Sequence, residues 1–119
     1  MAEKSVLEKL RYTPGQCAAV LDAPADYTPP ASASATLDGT FDFVHVFVTQ
    51  REQVAREGAK WRAALSAGGI FWASYPKGKA IATDLNRDSL REALQQVGLE
   101  TVRQVAIDDT WSALRAKPV

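Results

Sequence analysis

The sequence has a single cysteine and a single histidine among its 119 residues, which limits the chemistry open to it. One cysteine excludes a disulfide within the chain, and zinc sites draw on several cysteine and histidine ligands. We therefore expect no metal site. Cys17 lies in the apolar run CAAVL, where we expect it to be a buried small hydrophobic residue, with a reactive thiol as the alternative.

The chain also lacks an excess of charge of either sign. Lys and Arg together number 14, as do Asp and Glu, so the net charge is zero. A nucleic-acid-binding protein needs surplus basic residues to displace counterions, and no run of residues approaches the roughly 20 apolar positions of a membrane-spanning helix. The first residues do not form the apolar core of a signal peptide. We expect no nucleic-acid or membrane partner and a cytoplasmic location.

The remaining composition is that of an ordinary globular protein, with 46% hydrophobic and 24% charged residues. This length allows one domain with one core, over residues 1–119. Apolar runs of strand length alternate with segments of helical periodicity. Strands are predicted at 17–21, 41–48, 70–75, 101–107 and 111–115, and helices at 5–12, from a Thr49–Glu52 capping box onwards, and from a cap at Asn86 to Gly98.

This order predicts an α/β three-layer sandwich whose mostly parallel sheet of about five strands ends in an antiparallel hairpin. The second helix carries an apolar stripe of Val54, Gly58, Trp61 and Leu65, in which Gly58 is expected to let the helix lie close to the sheet. Residues 27–39 are expected to be irregular because of Pro29 and Pro30, with a short edge strand around residues 35–37.

Several of these segments resemble a class I methyltransferase sheet. They are Val20-Leu21-Asp22, Phe41-Asp42-Phe43-Val44, Gly68-Gly69-Ile70-Phe71, and Gly98-Leu99 with the terminal hairpin. Three others resemble a family of small bacterial proteins known only as a domain of unknown function: Tyr75-Pro76-Lys77, residues 83–88 and residues 109–113. The first resemblance implies a truncated methyltransferase-like fold, and the second implies no activity.

The loop after Asp22 departs from the methyltransferase pattern. A cofactor loop of this kind uses glycines so that backbone N–H groups can approach the ligand, whereas this chain has Ala23, Pro24, Ala25 and Asp26. Only a short, proline-containing link separates Asp22 from Phe41, so two βα units are expected to be missing and the first strand to lie near a sheet edge. We expect no cofactor.

Open α/β sheets bind ligands at the carboxyl ends of their strands. The candidate ligand residues at those ends are Arg51, Tyr75, Lys77, Lys79, Asp108, Asp109 and Trp111. They could hold a small anionic metabolite, or they could form an ordinary solvated rim of weak salt bridges. Trp111 could stack on a ligand or pack in the core. Core packing is expected of Trp61 and Trp72.

No catalytic residue is predicted. His45 lies in the middle of a strand, away from any strand end, and no serine or cysteine forms a recognisable motif with it. The sequence favours a non-catalytic binding or interaction module that has lost cofactor binding. The alternative is a small enzyme or sensor for an anionic metabolite. The exposed edge of the first strand is covered either by residues 27–37 or by a second copy, which gives a homodimer.

Overall fold

The protein is known from a computed structural model that describes residues 10, 17–24, 27, 33–34, 39–77, 83–107 and 110–118. Its strands and helices follow the order β1 (Ala18–Leu21), β2 (Phe41–Phe47), α1 (Arg51–Ala64), β3 (Leu65–Pro76), α2 (Arg87–Gln96), β4 (Leu99–Ala106) and β5 (Trp111–Pro118). The predicted N-terminal helix and the edge strand around residues 35–37 lie outside the described residues.

The five strands form one mixed sheet in the order β1-β2-β3-β5-β4. β1 pairs parallel to β2 and β2 pairs parallel to β3, while β5 is antiparallel to both β3 and β4. Four strands therefore point the same way and β5 points the other way. The predicted α/β fold with a parallel first part and an antiparallel terminal hairpin is confirmed.

β1 lies at one edge of this sheet, as the missing βα units predicted. The doubly wound dinucleotide fold has the strand order 3-2-1-4-5-6, and without strands 2 and 3 its first strand becomes an edge. Ser34 forms a parallel bridge with Ala19 along this edge. Its backbone accepts a hydrogen bond from the Val20 N–H and donates one to the Ala18 carbonyl, both at 2.9 Å.

The two helices cover one face of the sheet. Val54, Trp61, Leu90 and Leu94 pack there with the inward residues of the strands. Trp61 stacks on Phe71 with ring centroids 5.7 Å apart. The packing role predicted for Trp61 follows from this contact, and the apolar stripe is what attaches α1 to the sheet.

The opposite face is covered by segments from the N-terminal third of the chain. Leu10 and Tyr27 pack against Phe43, Phe47 and Trp72 there. Trp72 is fully buried, and its indole N–H donates to the Leu10 carbonyl at 2.7 Å. The sheet therefore lies between two layers of chain, and Trp72 has the core position that the sequence predicted.

The boundary between α1 and β3 differs from the prediction. α1 ends at Ala64 instead of reaching Gly68, and Leu65 begins β3. The pairing of β3 with β2 then shifts between Phe41 and Phe43, so that residues 66–69 bulge out of the ladder. Hydrophobic periodicity alone does not reveal this early strand start, because Leu65 continues the helical spacing.

The expectation that Cys17 is buried is wrong, since its side chain is exposed. β1 begins one residue later, at Ala18. Cys17 pairs with β2 through its backbone, where the carbonyl accepts from the Asp42 and Phe43 N–H groups at 2.8 and 3.2 Å. The apolar run CAAVL correctly predicted a strand, but it did not show which residue is the first to face the core.

Gly58 does permit a close approach, but the neighbour is Val97 at the end of α2 instead of the sheet. A Cβ added to Gly58 would lie 2.6 to 2.8 Å from three carbons of the Val97 side chain, including its Cβ. Such distances require one helix to move. Gly58 is therefore a contact point between the two helices.

The Gly58→Ala substitution is expected to destabilise the protein by about 1–2 kcal/mol, because overpacking outweighs the roughly 1 kcal/mol gain in helix propensity. In a Val97→Ala background the cost of the same substitution is expected to be smaller, since the close contacts with the two Cγ atoms are gone and only the contact with the Cβ remains. Urea unfolding of the four proteins of this double-mutant cycle measures both values. A destabilisation of equal size in both backgrounds would contradict the contact.

Neither α1 nor α2 is long and apolar enough to cross a membrane. Among the described residues, no three side chains of His, Cys, Asp or Glu are grouped so that they could hold a metal ion.

Candidate functional site

The carboxyl ends of β1, β2 and β3 lie at one edge of the sheet, here called the carboxyl edge. β5 begins at the same edge, because Trp111 pairs with Pro76 in the antiparallel ladder. The N-termini of α1 and α2 also lie here, since each helix follows one of these strands. This is where ligands bind in open α/β sheets, and it is where the predicted site residues were expected.

At the N-terminus of α1, backbone donors are already bound to oxygens of this chain. The side-chain oxygen of Gln53 accepts from the N–H groups of Thr49 and Gln50, at 2.7 and 3.0 Å. The N–H of Arg51 donates to a carboxylate oxygen of Asp84 at 2.9 Å. The cap thus lies one residue later than the predicted Thr49–Glu52 box, and Asp84 takes a place where a bound anion would accept hydrogen bonds.

The N-terminus of α2 is closed in a similar way. The Asn86 side chain accepts from the Ser89 N–H, and the Ser89 hydroxyl accepts from the Asn86 N–H, both at 2.9 Å. The predicted cap at Asn86 is confirmed, and it forms a reciprocal capping box. Thr83 links the two helix starts, because its hydroxyl donates to the Thr49 carbonyl and accepts from the Leu85 N–H.

Arg51 and Tyr75, two of the predicted ligand residues, have different partners and do not contact a common site. The Arg51 guanidinium lies 3.8 Å from the Glu92 carboxylate on the exposed surface of α2. Tyr75 is buried in the helix-side core, where its hydroxyl accepts from the Gln104 side chain at 3.2 Å. Burial raises the pKa of the Tyr75 hydroxyl. Tyr75 is therefore a packing residue with a satisfied polar end.

Lys77 directly follows β3 and Trp111 begins β5, so the two residues lie close together at the carboxyl edge. Their side chains have different surroundings. The Lys77 N–H donates to the Thr110 carbonyl at 2.7 Å, and its side chain is half-buried. Trp111 is buried on the face opposite Tyr75 and contacts Phe47 edge to face, with centroids 5.1 Å apart. Of the two roles considered for Trp111, stacking on a ligand and packing in the core, the structure shows packing in the core. Lys79, Asp108 and Asp109 lie outside the described residues.

The loop after β1 folds back onto the sheet. Asp22 adopts a left-handed backbone conformation, with φ of 57°. The Tyr27 N–H then donates to the Pro24 carbonyl at 3.0 Å, and the Tyr27 ring packs on Phe47 with centroids 4.9 Å apart. Asp22 tolerates the conformation that a glycine would otherwise supply, and Ala23 and Pro24 are partly buried.

The sequence did not predict a buried polar chain next to this loop. His45 Nε2 lies 2.5 Å from the Ser74 hydroxyl, and His45 Nδ1 lies 3.4 Å from the Tyr27 hydroxyl. His45 and Ser74 are both fully buried, and burial lowers the pKa of His45 to about 3. A serine beside a neutral histidine resembles an activated nucleophile, but neither group has access to a substrate. The strand pattern could have revealed this pair, because the alternation of side chains places His45 and Ser74 on the same face of adjacent strands.

Two grooves are lined by described residues near the ends of the sheet. One of about 410 Å³ lies beside Asp22 at the carboxyl end of β1 and is bordered by the exposed side of α1. There Glu57 lies 3.3 Å from Lys60 and 3.4 Å from Arg56. These cations, Lys60 most strongly, lower the pKa of Glu57. The other groove, of about 600 Å³, lies at the amino end of β3, opposite the carboxyl edge.

No family model and no curated protein matches the chain. Solved structures do, and they share one fold. PigF with SAH aligns with a TM-score of 0.57 and 13% identity over 73% of this chain and 39% of that chain. A LepI variant with SAH and a substrate analogue aligns with a TM-score of 0.58 and 14% identity over 96% of this chain and 39% of that one.

Magnesium protoporphyrin IX methyltransferase from Synechocystis PCC 6803 with SAH gives a TM-score of 0.52 and 13% identity over 72% of this chain and 50% of that chain. The chain has a class I methyltransferase-like fold. It spans half or less of the length of these three structures. At identities this low the likeness concerns the fold alone.

Proposed function

We propose that this protein is a non-catalytic binding or interaction module built on a reduced methyltransferase-like sheet, without a nucleotide cofactor. The observation that carries the proposal is that backbone N–H groups at the carboxyl edge already donate hydrogen bonds to side chains of this chain. There the N–H groups of Thr49, Gln50 and Arg51 are bonded to Gln53 and Asp84. A cofactor's carboxylate or hydroxyl groups would have to displace these partners.

The loop after β1 supports the same proposal. A cofactor bound in the usual mode lies against bare backbone after the first strand. Here Ala23 packs against the sheet core, Pro24 is partly buried, and the Tyr27 ring lies against His45 with centroids 5.4 Å apart. Ser34 pairs with the outer side of β1. In a complete sheet, strand 2 would occupy that position. We therefore favour coverage of this edge by the chain itself over a homodimer through it.

We also propose that the chain belongs with the small bacterial proteins of unknown function that it resembles around Tyr75-Pro76-Lys77, and that it acts in the cytoplasm. A ligand-binding role of the carboxyl edge is the second candidate. It rests on Lys77, which lies at that edge and precedes Lys79 by two positions in the sequence.

Isothermal titration calorimetry with S-adenosylmethionine and S-adenosylhomocysteine is expected to give no binding heat at millimolar concentrations. An Asp84→Ala variant, which removes one competing carboxylate, is expected to bind neither ligand, because the loop at Pro24 still blocks the site. Saturable binding to the unmodified protein would overturn the proposal.

The second candidate is tested by thermal shift with inorganic phosphate, citrate and nucleotides. Stabilisation that is lost in Lys77→Ala would favour an anion site at the carboxyl edge over the interaction module. Arg56→Ala, on the exposed side of α1, is the matched control for removing one cation.

A further inference from the structure

The second edge strand of the sheet, β4, differs from β1 because no described residue pairs with its outer side. Val102 lies on it and is 49% exposed, the one large hydrophobic side chain exposed among the described residues. The pairing of β4 with β5 shifts between Thr101 and Arg103, so Val102 lies at a bulge. An open strand edge offers unpaired backbone donors and acceptors to another chain.

A groove of about 260 Å³ runs beside this edge, between β4 and α2, and is here called the arginine groove. Arg87, Arg91 and Arg103 line it, and none of the described residues that line it is acidic. Arg87 lies 3.5 Å from Asp88 on its own helix. Within the described part of the chain, no carboxylate lies within ion-pair distance of Arg91 or Arg103.

Arg103 also faces Arg115 directly across the β4–β5 ladder. Two like charges in register on neighbouring strands destabilise a sheet. Folding alone does not account for this pair, whereas a negatively charged group bound beside β4 would offset the repulsion. The arginine groove and the Arg103–Arg115 pair share Arg103, and both favour an anionic partner at this edge.

We propose that the outer edge of β4 and the arginine groove bind an extended acidic segment of another protein, which adds to the sheet as a sixth strand. The backbone of β4 would supply the hydrogen bonds of strand addition. The three arginines would bind carboxylates through charge-assisted hydrogen bonds, and Val102 would be covered. This inference rests on the proposed function and names the class of partner for it.

A second copy of this chain fits the edge less well. A two-fold axis beside β4 would place both α2 helices on the same face of the joined sheet, so two copies of the arginine groove would lie on one face. The arginines would attract an acidic segment and repel the arginines of a second copy, which makes the edge selective for the acidic segment.

The test uses a fluorescein-labelled decapeptide of alternating glutamate and valine, measured by fluorescence anisotropy with the full-length protein. Binding is expected, and it should weaken as salt concentration rises. A decapeptide with lysine in place of glutamate is expected to bind at least tenfold more weakly. The glutamate peptide with N-methylated alternate residues is also expected to bind at least tenfold more weakly, because it cannot pair along β4.

Two variants test the protein side. Arg91→Glu and Arg103→Glu are each expected to weaken peptide binding at least tenfold, while Arg56→Glu, the same charge change on the far helix, is expected to leave it within twofold. Arg103→Glu is also expected to raise the melting temperature of the free protein by about 2 °C, because the like-charge pair with Arg115 becomes an attractive one. A merely structural role of Arg103 would not combine greater stability with weaker binding.

Equal binding of the glutamate and lysine peptides, or of the methylated and unmethylated peptides, would overturn this inference. So would sedimentation velocity showing a dimer that Val102→Lys dissociates, since a second copy would then occupy the edge. These outcomes leave the proposed function intact. That proposal fails separately, when calorimetry shows S-adenosylmethionine bound to the unmodified protein.

Discussion

Acidification from pH 6.5 to pH 5 is expected to lower the free energy of unfolding by about 2 kcal/mol through His45 alone. Burial lowers the pKa of His45 from 6.5 to about 3 in the folded protein. Below pH 6.5 the unfolded chain therefore binds a proton that the folded protein does not bind. Stability then falls by about 1.4 kcal/mol per pH unit, down to the folded pKa, and the contribution is complete above pH 6.5.

This chain makes the measurement unusually clean because His45 is its only histidine. Asp and Glu side chains in model peptides ionise near pH 4, and the lowered pKa of Glu57 moves that group further from the window. Urea unfolding at half-unit steps from pH 7.5 to pH 5 gives the slope. His45→Gln, which keeps a polar neutral side chain, is the control.

The His45→Gln variant is expected to be less stable than the unmodified protein at pH 7.5, because it packs less well beside Phe47 and Ser74. Its stability should be nearly independent of pH between 6.5 and 5. An equal slope in both proteins would show that another group titrates there. A flat profile in the unmodified protein would show that His45 takes up its proton at the same pH in the folded and the unfolded states.

The second large effect is expected at Trp72. Trp72→Phe should lower the free energy of unfolding by about 2–4 kcal/mol, since it leaves a cavity and removes the only described partner of the buried Leu10 carbonyl. Trp72→Ala should cost about 4–5 kcal/mol. With a total stability on the order of 5–15 kcal/mol for a domain of this kind, that loss leaves little or no folded protein at 37 °C.

Trp61→Phe is the matched control because Trp61 is also buried, at 4% exposure, and stacks on Phe71 on the helix side of the sheet. It should cost about 1–2 kcal/mol. Guanidinium unfolding followed by circular dichroism measures all three variants. If Trp72→Phe proves no more harmful than Trp61→Phe, the indole hydrogen bond to Leu10 does not fasten the N-terminal segment to the sheet.

The core strands could be read from the sequence because their composition allowed little else. The run from Phe41 to Val48 is apolar at almost every position, as expected of a strand covered on both faces. The cap at Asn86 was also correctly predicted, and the predicted helix end at Gly98 coincides with a left-handed glycine, with φ of 83°. Each of these signals is local, since a few neighbouring residues determine it.

The errors share one cause. The early start of β3 at Leu65, the exposure of Cys17 and the contact of Gly58 with Val97 all depend on which other segment lies opposite. A sequence pattern states that a residue prefers to be buried or paired, but not by what. The same holds for Tyr75 and Trp111, which are close in the ladder but face opposite sides of the sheet.

By itself the sequence determined the α/β order, the edge position of β1 and the glycine-poor loop after Asp22, because hydrophobic periodicity and turn chemistry act over short stretches of chain. The tertiary structure decided the pairing of β5 between β3 and β4, the burial of His45 against Ser74 and the three arginines beside β4. These depend on segments distant in sequence, and only the packing of the sheet brings them within contact distance.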